Sequence, residues 1–199
     1  MSDQHNVTEP THPLWEFWRG FQENEEKLSQ VEHNRERIMA ALGQAFQQAA
    51  PGLAFEIEEG TTGRRRELIL SANGNPDYIP LVEQVYAAAP ELHCWRLTKF
   101  RPRQPGPVSL PYEGRLMHAA EVRFQVFNDG DRIGILLLFG NYREDARHQF
   151  VALGRAFLER LLGEYDLMTR ISFVDYAGRD SNLYAEARSL PDLPGTCDD

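Results

Sequence analysis

The sequence predicts an α+β fold: an N-terminal helical segment, then two strand-strand-helix-strand units that form one mixed sheet or two adjoining small sheets with helices packed on them. Three observations carry this. Apolar residues recur at helical spacing from Leu14 to Val31 and from Ile38 to Phe46. Two strand pairs close on turn residues, Gly60-Thr61-Thr62-Gly63 and Asn128-Asp129-Gly130-Asp131. Each pair is followed by a helical stretch and one further strand, so the second half repeats the plan of the first.

Residues 1–13 are polar, carry two prolines and lack apolar periodicity, which predicts a disordered leader. Leu14, Trp15, Phe17, Trp18 and Phe21 then load one side of a helix. A second helical stretch ends at Pro51-Gly52, and the two are either continuous or bent near Ser29 to Asn34. Leu53, Phe55 and Ile57 alternate with Ala54, Glu56 and Glu58, the period of a half-wet strand. The chain returns through Arg64, Arg65 and Arg66 into a strand from Glu67 to Ala72. Asp77 is the expected cap of a helix containing Tyr78 to Tyr86, in which Pro80 is tolerated because a first-turn N–H has no partner to lose. A strand from His93 to Phe100 completes the unit.

Residues 101–115 open on Arg101-Pro102-Arg103-Gln104-Pro105-Gly106-Pro107 and read as a linker. Strands follow at Leu116 to Phe127 and Arg132 to Phe139, the second apolar on both faces as a covered central strand would be. Glu144 to Gly163 is a long helix, and Leu167 to Val174 is the last strand. Residues 178–199 read as a loosely packed polar tail. The expected organisation is one globular domain over 14–177, with a possible duplication of 53–100 in 116–174.

Composition narrows the setting. A chain of 199 residues, 42% of them hydrophobic, is long enough for a full core. Its net charge of −9 works against capture of a nucleic-acid backbone. Two cysteines, Cys94 and Cys197, make no disulfide framework. The N-terminus lacks the apolar core of a signal peptide, and Ile133 to Phe139 spans only a strand, so a soluble cytoplasmic protein without membrane contact is expected.

Three segments, WEFWRGFQENEEKL, RELILSANG with VEQVYAAAPELHCWRLTKFRPR, and LLGEYDLMTRISFV, together resemble an uncharacterised family of bacterial proteins. The resemblance covers most of Leu14 to Val174 and implies a shared opening helix and central strand-helix-strand crossover. It brings no activity, cofactor or catalytic residue.

Candidate chemistry is sparse. The histidines, His5, His12, His33, His93, His118 and His148, form no HxH, HxxxH or HExxH pair, so no metal or other cofactor is expected. There is no GxSxG, and Cys94 beside His93 points to the opposite strand face. Ser71 to Pro76 lies where a nucleotide-binding turn would, yet has one glycine. Glu164 and Asp166, after the helix-capping Gly163, with His118, are the residues available for a hydrolase-like acid–base pocket. Arg64, Arg65, Arg66, Arg101 and Arg103 concentrate positive charge that can grip RNA or an acidic surface, or guard a strand edge. Trp15 and Trp18, dense aromatics on a first helix, are core or an association surface. With no convergent catalytic set, the leading expectation is a non-enzymatic protein-binding or regulatory module, of the immunity type or another, whose partner is a second protein or a second copy. The hydrolase and the RNA-binding readings are the alternatives.

Overall fold

The structure is a computed structural model describing residues 12–29, 35–59 and 65–198. Arg64, the turn at 60–63, nearly all of the leader and most of the bend expected after Ser29 lie outside the described residues. The chain divides into two units, Met1–Lys99 and Phe100–Asp199. The first unit holds a three-stranded sheet and the second a two-stranded and a four-stranded one, which with the helices give the α+β fold.

The first unit opens with α1 (Pro13–Glu23). Pro13 occupies the first turn, and His12 Nδ1 accepts the Leu14 N–H at 3.3 Å. α1 stops at Asn24, whose N–H bonds back to Phe21 C=O at 3.2 Å. The helical stretch is thus interrupted at Asn24, and α2 (Glu25–Ser29) and α3 (Arg35–Ala49) follow. The strands are β1 (Ala54–Glu58), β2 (Arg66–Ser71) and, beyond α4 (Ile79–Ala87), β3 (Trp95–Lys99). Their order is β1-β2-β3, with β1 antiparallel and β3 parallel to β2. Leu68, Ile69 and Leu70 are all buried, so the central strand is covered on both faces. Asn75 rather than Asp77 is the cap before α4: its Oδ1 accepts the Asp77 N–H at 3.1 Å, opening a 3-10 turn at Pro76–Tyr78.

Aromatic edges hold this unit together. Phe17 meets Trp18 at 5.0 Å and Phe46 at 5.3 Å, and Phe21 meets Trp95 at 5.3 Å, all edge-on. Both buried indoles find acceptors, Trp18 Nε1 at Val85 C=O (2.9 Å) and Trp95 Nε1 at Glu25 C=O (3.2 Å).

The second unit begins with a hairpin inside the expected linker, β4 (Ser109–Tyr112) and β5 (Arg115–His118). Glu113 and Gly114, both at positive φ, make its two-residue turn. A 3-10 turn at Ala119–Glu121 splits the expected Leu116 to Phe127 strand, leaving β6 (Val122–Asp129), which pairs with β7 (Arg132–Phe139). Then come α5 (Arg147–Leu162), α6 (Glu164–Arg170) and β8 (Ile171–Ala177), so the last strand starts later than predicted. β7 is antiparallel to β6 and parallel to β8, repeating the pairing pattern of the first unit. The sheet order is β8-β7-β6-β9, where β9 is Arg188–Ser189. Gly154 lets α5 approach the sheet, since a Cβ there would meet Tyr176 and Leu137 carbons at 2.6 and 2.7 Å.

The C-terminal stretch differs from the loose tail predicted. It adds β9 to the sheet and ends in α7 (Leu193–Asp198), with Ala187, Leu190, Leu193 and Cys197 buried. Among the described residues no helix is long and apolar enough to cross a membrane.

Candidate functional site

The acid–base candidates and the basic candidates of the second unit meet each other. After Phe100 the chain runs along the α5–α6 junction, where Gln104 N–H donates to Arg160 C=O at 2.7 Å. Arg101 Nη1 lies 2.8 Å from Glu159 Oε1 and 3.9 Å from Glu164 Oε1. Arg103 Nη2 lies 2.6 Å from Asp166 Oδ2, and its Nε donates to Leu162 C=O at 2.9 Å. Glu164 is 1% exposed. Its carboxylate is turned into the protein, where it accepts the Arg101 N–H at 3.0 Å beside the guanidinium, so its contacts tie the segment after Phe100 to the helix junction.

His118 belongs to another cluster. Its ring Nδ1 is 2.7 Å from Ser109 Oγ across the β4–β5 hairpin, and its backbone N–H donates to Glu121 Oε1 at 2.8 Å. That bond and Arg115 hold the Glu121 carboxyl below its ordinary range. No hydrogen bond or ion pair among the described residues joins His118 to Glu164 or Asp166.

In the first unit the basic run is also largely engaged. Arg66 Nε donates to Ser29 C=O, Arg96 lies 3.8 Å from Glu67, and Lys99 Nζ is 2.7 Å from Glu83. Arg65 is exposed. Trp18, 2% exposed, is a core residue whose buried indole N–H is satisfied by Val85 C=O. Trp15 is 52% exposed, with the Arg19 guanidinium 4.7 Å above its ring.

One polar cluster escaped the sequence. At the carboxyl end of β7 and β8, Tyr142 Oη donates to Glu144 Oε2 at 2.6 Å and accepts from Arg147 Nη1 at 3.1 Å. Arg147 Nη2 reaches Asp175 Oδ1 at 3.0 Å. Arg147 and the Tyr176 N–H hold the Asp175 carboxyl below its usual range, while burial and then Glu144 push the Tyr142 phenol up. Each polar group here has an internal partner, so the arrangement clamps the start of α5 to the sheet. Only residues such as Arg147 and Asp175, 28 positions apart, could have signalled it, and no spacing rule links them.

An unfilled groove of the first unit lies between helices. α1 and α2 face α3 across a groove of about 550 Å³. Phe17, Phe21, Leu28, Ile38 and Leu42 supply its apolar lining. Gly20, Ala41 and Ala45 keep it open, and a Cβ added at Gly20 would touch nothing within 4 Å. Glu16, Asn24, Lys27 and Arg37 form the polar remainder. A second groove of about 550 Å³ in the other unit runs between β4 and α5, past Leu110, Tyr112, Gln149 and Leu153. Among the described residues no three His, Cys, Asp or Glu side chains group as metal ligands.

No protein-family model matches the sequence, and neither a curated protein nor a solved structure matches it significantly.

Proposed function

We propose that the chain is a non-enzymatic protein-binding module whose docking site is the groove between α1 and α3, occupied by an apolar helical segment of another protein. The observation that supports this is an open, largely apolar groove in a unit whose central strand is already covered on both faces and whose Arg66, Arg96 and Lys99 are paired internally. Two helices flanking a trough lined with aromatic and small side chains match the mode in which an amphipathic helix lays its apolar face into a protein groove. The size suits a few anchoring side chains, and the small residues let a partner backbone come close.

Photo-crosslinking in the native host tests this. A photoreactive side chain at Ala41, on the groove, gives a defined adduct with one protein, and Gly20→Leu, which projects into the open space, removes it. An adduct that survives Gly20→Leu, or that forms equally at the exposed Phe173 of the other unit, overturns the proposal.

A further inference from the structure

The groove is electrically polarised. Phe17 of α1 packs on Phe46 near the end of α3, so the helices run past each other in opposite directions. Lys27, shortly before the end of α2, and Arg37, near the start of α3, therefore share one end of the groove, while Glu16 and Ala45 share the other. Lys27 and Arg37 are exposed, and among the described residues neither has a hydrogen-bond or ion-pair partner. Glu26 and Glu36 sit on the same helices but do not line the groove. The N-terminus of α3 adds a dipole of the same sign at that end.

We infer that the segment filling the groove carries acidic side chains at the end that meets Lys27 and Arg37, and so docks in one direction. This rests on the groove being the docking site. In a chain of net charge −9, two cations without a partner among the described residues stand at the rim of an apolar trough. A carboxylate arriving there meets two positive charges, which lose water only as the segment covers them, while a basic segment meets repulsion. The apolar floor supplies adhesion without orientation, because Phe, Leu and Ile contacts have no polarity along the helix axis. The charged end supplies the orientation and the discrimination between partners.

The test uses the full chain and three synthetic peptides of about 15 residues, the length at which isolated helices begin to persist. They share one leucine and phenylalanine stripe and differ at one end, which is rich in Glu, Lys or Gln. Fluorescence anisotropy at low salt is expected to give the Glu-ended peptide an affinity about tenfold above the Lys-ended one, a gap that narrows as salt is added. In the Lys27→Glu, Arg37→Glu variant, checked for an unchanged thermal midpoint, the order reverses. Equal affinities for all three peptides, or an order that the double variant leaves unchanged, with binding lost in Gly20→Leu, overturn the inference and leave the groove standing. No binding by any peptide, or binding indifferent to Gly20→Leu, removes the groove and the inference together.

Discussion

Glu164 and Arg101 hold each other at two points of the backbone: Arg101 N–H donates to Glu164 Oε2 at 3.0 Å, and Glu164 N–H donates to Arg101 C=O at 2.9 Å. The guanidinium then ties to Glu159 one turn back along α5. A proline-flanked segment that cannot form regular structure is thereby fixed on a helix junction, with its polar groups satisfied.

Replacing Glu164 by Ala leaves the Arg101 N–H buried without its acceptor, at a cost of about 1–3 kcal/mol. Glu164→Gln keeps an acceptor oxygen and should lose less. Urea unfolding of the three proteins gives the ranking wild type, Gln, Ala; an Ala variant as stable as wild type contradicts the assignment.

Two glycines should respond in opposite directions. Gly163, at φ 81 and ψ 159, occupies a region that only glycine enters easily, and a Cβ there would sit 3.2 Å from both Arg101 O and Arg103 N. Gly163→Ala should cost about 1–3 kcal/mol. Gly20 is helical with open space beside it, and Gly20→Ala should gain about 0.5–1 kcal/mol from propensity. Thermal midpoints that move in the same direction contradict this account.

The Asp175 carboxyl is lowered, so its stabilising contribution is present above the unfolded value near pH ~4 and fades as pH falls through the folded value below it. Because the Asp175 side chain is largely exposed, the contribution is small. Carbon-detected NMR titration should place its midpoint below that of an unfolded aspartate and move it upward in Arg147→Ala. An unchanged midpoint in that variant removes Arg147 as the cause.

Where local pattern carries the information, the sequence is explicit. Phe55 and Ile57 announce β1, and Asn128 to Asp131 announce the β6–β7 turn, because side-chain period and turn chemistry act within a few residues. Prolines misled elsewhere. The proline-rich run from Arg101 to Pro107 extended the linker reading over β4, whose own Pro111 is tolerated because a two-stranded ribbon has a free edge where an N–H can be missing. Pro191 and Pro194 made the C-terminal stretch look loose, although each sits early in a helical turn, and Leu190, Leu193 and Cys197 keep helical spacing. At the site, the pairing of Arg103 with Asp166 joins residues 63 positions apart, which no single-chain pattern encodes. The groove was half visible: Ala45 fell on the apolar face of its helix, but the space beside Gly20 exists only once α1 and α3 are packed.

The most direct measurement is an amide-correlation NMR titration of the full chain with the Glu-ended peptide. The docking account predicts shifts concentrated on Gly20, Ala41 and Ala45, with Lys27 and Arg37 following. Shifts centred instead on Leu110, Gln149 and Leu153, or spread evenly over both units, would contradict it.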